Sequence, residues 1–268
     1  MKSVSIMGCG WLGFPLAEYL IKKKYSVKGS TTSAEKIDKL LAAGIDAFII
    51  TSTPKLNEEV DKFFDSEVLI INIPPGGADN KPEYHSNQIT FIKSAIEKSV
   101  INKVVFVSST SVYNENNFSV IETDTLNPKS TSGKALLAAE NILLNSNKFQ
   151  TTVVRFGGLI GPGRNPGKFL VRRKNVSGGN TPINLIHRDD CIEIIYQIIV
   201  QNIWGEIFNA VSDSHPSKKE FYIKAALSLN LLPPHFNDEN INFKIVDSSK
   251  LKQRLKYNFI HPDILKTL

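Results

Sequence analysis

The sequence predicts an α/β fold in which helices cover both faces of a doubly wound parallel sheet. Short apolar runs rich in β-branched residues alternate with longer stretches of helical periodicity. These runs lack the polar alternation of a sheet with one solvated face, as is typical of buried parallel strands. The first run also ends in a glycine-rich turn that opens a helix. We therefore expect a parallel sheet whose strands are joined by helices.

The elements follow one another regularly through the first 156 residues. The predicted strands are residues 3–7, 26–30, 47–51, 68–73, 103–108 and 152–156. The predicted helices are residues 14–24, 34–43, 89–98 and 133–144. Pro15 occupies the first turn of the first helix, where its missing N–H costs nothing. Beyond Gly157 the chain becomes rich in Gly, Pro and Arg before a predicted helix at 190–200 and a strand at 205–210.

Composition places the chain among globular proteins, with 41% hydrophobic and 22% charged residues. The two cysteines, Cys9 and Cys191, cannot form a disulfide framework, so we expect a reducing, cytoplasmic location. The apolar stretch near the N-terminus is broken by Gly8 and Gly10 and is too short for a signal-peptide core. No apolar run reaches the length of a membrane span, so no membrane partner is expected.

The net charge of +6 does not indicate a nucleic-acid partner. Basic residues are scattered among acidic ones, and the tight basic cluster is confined to residues 172–174. A solvated face explains that cluster better than a binding site for nucleic acid. The histidines and acidic residues also lack metal-ligand spacing such as H-x-x-x-H, so no metal site is expected.

Residues 8–13, Gly-Cys-Gly-Trp-Leu-Gly, match the G-x-G-x-x-G pattern between a predicted strand and a predicted helix. In that context the first glycine permits a tight turn, the second admits a pyrophosphate and the third lets helix and strand pack closely. The N–H groups at the helix start then face the phosphates. The pattern predicts a Rossmann-type fold with a dinucleotide cofactor. Its expected ligands are Gly8, Gly10, Trp11, Leu12 and Gly13.

The end of the second predicted strand bears on the choice between NAD and NADP. NAD-preferring proteins usually carry an Asp or Glu there, whereas residues 29–33 are Gly-Ser-Thr-Thr-Ser. With no carboxylate to repel a 2′-phosphate and with Lys36 nearby, the segment favours NADP, although NAD stays possible. The further cofactor ligands predicted are Ser30, Thr31, Thr32 and Ser33. Alternatively, these hydroxyls only cap the helix that begins at residue 34.

Three later segments occur in a characteristic order. They are Val-Val-Phe-Val-Ser-Ser-Thr-Ser-Val-Tyr at 104–113, Arg-Phe-Gly-Gly-Leu-Ile-Gly-Pro-Gly-Arg at 155–164 and Ile-His-Arg-Asp-Asp at 186–190. Together they resemble the extended short-chain dehydrogenase/reductase superfamily, which includes nucleotide-sugar epimerases and dehydratases. The resemblance implies that Ser109 binds the substrate oxygen. In the family the tyrosine at the position of Tyr113 mostly shapes the pocket, so Tyr113 is a catalytic candidate with packing as the alternative. The guanidinium of Arg164 suits a substrate phosphate, with surface solvation as the alternative. His187 lies where the family turns back toward its substrate, with a hydrogen-bonded structural role as the alternative. A homodimer is a family expectation.

The sequence departs from this family at its catalytic Tyr and Lys. An ungapped match puts Ser132 at the Tyr position and Leu136 at the Lys position, and neither can perform acid–base chemistry of that kind. This match aligns Pro128, Ser130, Gly133 and Glu140. A gapped alternative uses Ser130 and Lys134 but loses the match at Glu140. The protein therefore resembles an atypical member that keeps the dinucleotide turn without the Tyr–Lys pair.

Two functions are compatible with these observations. The first is an NADP-dependent oxidoreductase or epimerase/dehydratase-like enzyme that acts on a sugar or another small polar metabolite. The second is a non-catalytic dinucleotide-binding sensor, which the missing Tyr–Lys pair favours. We expect residues 1–158, completed by 186–212, to form the Rossmann domain, and residues 159–185 and 213–268 to form a smaller C-terminal substrate lobe.

Overall fold

A computed structural model of the chain describes residues 2–51, 60–76, 82–237 and 239–268. Its strands are β1 (Ser3–Met7), β2 (Ser26–Thr31), β3 (Asp46–Ile49), β4 (Val68–Ile71), β5 (Lys103–Ser109), β6 (Ser119–Val120), β7 (Gln150–Phe156), β8 (Gly158–Ile160), β9 (Leu185–His187), β10 (Ile207–Ala210) and β11 (Ile245–Val246). Its helices are α1 (Gly13–Lys22), α2 (Ile37–Ala42), α3 (Asp61–Phe64), α4 (Pro82–Ile96), α5 (Thr131–Leu144), α6 (Arg188–Val200), α7 (Lys218–Leu227) and α8 (Ser249–Leu255).

The central sheet has seven parallel strands in the order β10-β7-β5-β4-β1-β2-β3, which confirms the predicted doubly wound fold. The chain builds outward from β1 to β3 on one side and from β4 onward on the other, so the order reverses between β1 and β4. Ligands of such sheets bind at this reversal, beyond the carboxyl ends of the strands. The turn after β1 and the end of β5 both lie on that edge, because β4 pairs in parallel with each strand.

Two elements differ from the sequence-based bounds. The fourth strand ends at Ile71 rather than residue 73. The backbone N–H of Asn72 still donates to the Met7 carbonyl at 2.9 Å, and its side chain donates to the Gly8 carbonyl at 3.1 Å. Helix α4 begins at Pro82 rather than residue 89. The buried isoleucines that give this helix its apolar periodicity begin only at Ile89. The more polar turns before Ile89 carry no such pattern, so the sequence predicted too late a start.

The chain divides into two compact units. Unit 1 comprises the residues up to Val112 together with Asn127–Val154 and Ile195–Ile207. It contains β1 to β5 and the helices α1 to α5. Within the sheet β4 is entirely buried, whereas β3 is an edge strand with no buried residue. No helix among the described residues is long and apolar enough to cross a membrane.

Unit 2 comprises Tyr113–Leu126, Arg155–Ile194 and Phe208–Leu268. It holds two small parallel ribbons, β6 with β11 and β8 with β9, in addition to the ends of strands from the central sheet. An apolar cluster packs beside the second ribbon, and its buried members are Ile160, Leu185, Phe221 and Ile264. The last residues of the chain thus contribute to the core of this unit.

Candidate functional site

The three glycines of the turn after β1 have three different structural requirements. Gly8 has a φ of +100°, and a Cβ there would collide with the backbone carbonyl of Asn72. A Cβ at Gly13 would collide with the carbonyl oxygen of Gly8. At Gly10, by contrast, a Cβ would meet no atom within 4 Å. Gly8 and Gly13 therefore close the turn against the sheet, whereas Gly10 leaves open space where a pyrophosphate approaches in dinucleotide turns.

Hydrogen bonds from neighbouring strands hold this turn in place. The Gly8 N–H donates to Ser30 Oγ at 3.0 Å, and the Cys9 N–H donates to the Ser30 carbonyl at 2.8 Å. Burial raises the pKa of the Cys9 thiol to about 12, so the side chain acts as an apolar packing group. Helix α1 has no acidic residue in its first turn, which leaves its positive end uncompensated by side chains.

Trp11 and Leu12 connect the turn to α1 in different environments. Leu12 is buried and occupies the position before the helix without a side-chain capping bond. Trp11 is half-buried. The segment therefore contributes its backbone to the turn, with one apolar side chain anchored inside unit 1.

The hydroxyls at the end of β2 divide into two pairs. Ser30 and Thr31 are buried, with Ser30 Oγ used by Gly8 and Thr31 Oγ1 accepting from the Ser33 N–H at 3.2 Å. Thr32 is exposed and Ser33 is half-buried. Ser33 precedes a 3-10 turn without a side-chain capping bond, so the capping alternative does not hold for this residue. The accessible polar groups of residues 32–36 are thus Thr32, Ser33, Glu35 and Lys36.

Two neighbouring serines at the end of β5 have different surroundings. Ser108 is buried and donates its hydroxyl to Glu140 Oε1 on α5 at 2.6 Å. Ser109 is half-buried, and its Oγ accepts the Ser111 N–H at 3.1 Å. The Ser109 hydroxyl proton can therefore be donated to another oxygen, as the proposed contact with a substrate requires.

The start of α5 shows what occupies the family's Tyr and Lys positions. Ser130 caps the helix by accepting the Gly133 N–H at 3.1 Å, and a Cβ at Gly133 would collide with the Ser111 carbonyl. Leu136 is buried, whereas Ser132 and Lys134 are exposed. The helix therefore turns Gly133 and Leu136 into unit 1, whereas Ser132 and Lys134 both face solvent.

Tyr113 lies in a buried polar network of unit 2. Its hydroxyl donates to Asn209 Oδ1 at 2.8 Å and accepts from the Arg155 guanidinium at 2.7 Å. The Asn209 N–H in turn donates to Glu122 Oε1 at 2.7 Å. Burial raises the pKa of Tyr113 above its usual value despite the opposing charge of Arg155. A phenol held in this way is suited to fixing the fold of unit 2 rather than to releasing a proton.

The two predicted substrate-binding residues also belong to unit 2. Arg164 is exposed on a tight turn in which its N–H donates to the Gly161 carbonyl at 2.9 Å. His187 ends β9, and its ring packs on that of His261 with centroids 4.0 Å apart. Burial, followed by the charge of His261, lowers the pKa of His187, so its ring is neutral near pH 7.

Comparison with known proteins decides the family. The model of the NAD dependent epimerase/dehydratase family matches residues 4–210. The chain belongs to this family. Protein YeeZ of Escherichia coli K12 is 32% identical over 270 residues, covering 99% of this chain and 98% of YeeZ.

Solved structures of other proteins share the fold. UDP-glucuronic acid 4-epimerase from Bacillus cereus, in complex with UDP-glucuronic acid and NAD, superposes with a TM-score of 0.82 at 19% identity over 99% of this chain and 97% of that chain. A functionally unknown conserved protein from Silicibacter pomeroyi gives a TM-score of 0.79 at 20% identity over 100% and 96% of the chains. At these identities the likeness establishes the fold.

Several side chains that make structurally important contacts in this epimerase/dehydratase-family protein could not be identified from local sequence patterns. Asn72 braces the glycine turn but belongs to no spacing motif, and Asp190 organises a distant loop of unit 2 that its motif does not indicate. The second aspartate of the Ile-His-Arg-Asp-Asp segment was the available signal for Asp190. Nothing near His261 in the sequence indicated its contact with His187.

Proposed function

We propose that this epimerase/dehydratase-family protein binds NADP at residues 8–13 and acts as an oxidoreductase or epimerase/dehydratase-type enzyme on a sugar or another small polar metabolite. The open space at Gly10, between two glycines that admit no side chain, carries the proposal. A fold relative that binds UDP-glucuronic acid together with NAD supports the substrate class. When bound, the nicotinamide supplies a hydride acceptor or donor.

The preference for NADP rests on the accessible groups after β2. Thr32, Ser33 and Lys36 offer hydroxyl and ammonium donors to a 2′-phosphate, and no carboxylate occupies residues 29–33 to repel it. Ser30 and Thr31, which were also predicted as ligands, would act mainly by shaping the turn, since their oxygens accept backbone N–H groups.

We expect the protein to bind NADPH more tightly than NADH by about 1–3 kcal/mol, or roughly 5- to 150-fold in Kd, because charge-assisted bonds form only with the phosphate. Calorimetric titration of both cofactors measures this difference. Lys36→Gln should narrow it, whereas Lys98→Gln, an exposed charge elsewhere in unit 1, should leave it unchanged. Equal dissociation constants, or tighter binding of NADH, would refute the preference.

Ser109 is the proposed ligand of the reacting substrate oxygen. It ends β5 on the same edge of the sheet as the glycine turn, and its hydroxyl proton is available for donation. Leu136 at the family's Lys position and exposed Ser132 at its Tyr position cannot supply an assisted proton transfer. In this proposal a bound water or the substrate itself therefore exchanges the proton.

Turnover should consequently fall by about 100-fold or more in Ser109→Ala, in line with the loss of one preorganised donor to a reacting oxygen. Ser132→Ala and Lys134→Ala should retain activity within a few-fold. A panel of sugars and polar metabolites provides the substrate and the rates. NADPH fluorescence follows net hydride transfer, and chromatographic analysis of the products follows epimerisation or dehydration, which leave the cofactor unchanged overall. If Ser132→Ala or Lys134→Ala abolishes turnover in a folded protein that still binds cofactor, the ungapped match and this active site are wrong.

A second candidate function is a dinucleotide sensor without catalysis. The observation that favours it is buried Leu136, which replaces the ammonium that lowers the pKa of the family's catalytic phenol. A sensor would bind NADPH with the same preference yet convert no metabolite of the panel, either by net oxidation of NADPH or by a redox-neutral epimerisation or dehydration. The metabolite panel therefore distinguishes an enzyme from a sensor, whereas the cofactor titration gives the same result for both.

Location, substrate lobe and assembly complete the proposed function. We propose a cytoplasmic protein, because both cysteines are buried free thiols. We also propose that residues 159–185 and 213–268 form the substrate lobe, with Arg164 as a contact for a phosphate or carboxylate of the substrate. A homodimer is the assembly that the family resemblance implies.

A further inference from the structure

His187, Asp189 and His261 form a compact group of potential metal ligands in unit 2. Their candidate ligand atoms all lie within 4.8 Å of one another. Asp189 Oδ2 is 3.5 Å from His187 Nδ1 and 3.6 Å from His261 Nε2. Tetrahedral zinc sites with bonds of about 2.0–2.2 Å place neighbouring ligand atoms about 3.4 Å apart. Both separations match that requirement with very little movement.

One ring nitrogen of His261 lacks a hydrogen-bond partner. Its Nε2 is shielded from solvent and has no hydrogen-bond partner among the described residues. A buried imidazole nitrogen without a partner is costly, and a cation at this point would remove that cost. His187 Nδ1 accepts a long hydrogen bond from the Asp189 N–H at 3.3 Å, which a metal bond would replace.

The loop that carries His261 is fixed independently of any ion. Asp190, which is fully buried, accepts the His261 N–H at 3.1 Å and the Ile260 N–H at 2.6 Å. It also accepts the Tyr257 hydroxyl at 2.7 Å. These bonds tie the loop to the first turn of α6, where Asp189 lies, while His187 is fixed at the end of β9. The three ligand-bearing positions are therefore preorganised.

We propose that His187 Nδ1, Asp189 Oδ2 and His261 Nε2 bind one divalent transition-metal ion, with Zn²⁺ the best match. Two imidazoles and one carboxylate suit zinc rather than Mg²⁺ or Ca²⁺, which take mostly oxygen ligands. The side chain of Asp189 is 48% exposed, so the ion can enter and a water can complete its coordination. This site is independent of the dinucleotide turn and adds a function that the proposed enzyme does not require.

The test uses the full, tag-free chain freed of metal with a chelator and titrated calorimetrically with ZnCl₂. We expect one equivalent to bind and the melting temperature to rise with added zinc. His261→Gln and Asp189→Asn should each weaken binding by at least about tenfold. His235→Gln, which removes an exposed histidine, should leave the affinity unchanged.

Substitution with Co²⁺ adds a spectroscopic readout, since tetrahedral coordination gives intense visible absorption that His261→Gln should abolish. Because Asp189 is half exposed, Asp189→Asn keeps the test valid even if the histidine variant misfolds. Absence of stoichiometric binding, or binding that survives both ligand variants, would overturn the site. Loss of binding in His235→Gln would also overturn it, by locating the metal elsewhere.

Discussion

Gly10→Val should abolish dinucleotide binding while the protein stays folded. Gly10 is exposed, its φ lies outside the left-handed region, and an added Cβ meets no atom within 4 Å. The valine methyl groups would instead fill the space that a pyrophosphate needs. We expect a loss in NADPH affinity of at least about 100-fold, equivalent to about 2.8 kcal/mol, in calorimetry. The melting temperature should change little.

Two further variants test whether the loss of affinity comes from the side chain added at Gly10. Gly10→Ala adds a single methyl group and should give an intermediate loss of affinity with the same stability. Gly13→Ala forces a Cβ against the Gly8 carbonyl and should cost about 1–3 kcal/mol of unfolding free energy, because the turn must shift. Unchanged NADPH affinity in Gly10→Val would count directly against the assignment of residues 8–13.

Asp190→Ala should strongly destabilise the protein. The carboxylate is fully buried and accepts hydrogen bonds from Tyr257 Oη and from the backbone N–H groups of Ile260 and His261. Removing it leaves these donors unsatisfied, at about 1–3 kcal/mol each before relaxation. We expect the free energy of unfolding, measured with urea, to fall by about 3–5 kcal/mol.

The neighbouring aspartate provides the matched control. Asp189→Ala removes the same charge one residue earlier, but that side chain is half exposed and its ionic contacts are longer than hydrogen bonds. In the presence of a chelator its cost should stay below about 1 kcal/mol. Similar losses in both variants would show that the Asp190 bonds do not fix the loop of His261.

The parts of the structure that sequence analysis predicted are those with local physical causes. Buried parallel strands need continuous apolar runs, and a tight strand–helix turn needs glycine where φ is positive or a Cβ has no room, as at Gly8 and Gly13. The sheet and the turn were therefore visible in the sequence. Helix α5 was predicted as well, although it begins at Thr131, after its cap Ser130, two residues before the predicted start at residue 133.

The parts that escaped sequence analysis depend on contacts between distant segments. The direction of the Ser30 side chain, toward the Gly8 N–H, is decided by packing between β1 and β2 and not by the hydroxyl itself. The expectation that no metal site exists considered only spacing along the chain. Folding brings His261 from the C-terminal segment to the start of α6, beside Asp189.

A crystal structure of the chain grown with NADPH would show directly where the dinucleotide binds. We expect the pyrophosphate against the backbone N–H groups of the turn at residues 8–13, directly over Gly10, with the 2′-phosphate beside Thr32 and Ser33. The nicotinamide should extend along the carboxyl edge of the sheet toward Ser109. A dinucleotide bound elsewhere, or a turn that stays empty at saturating NADPH, would contradict this expectation.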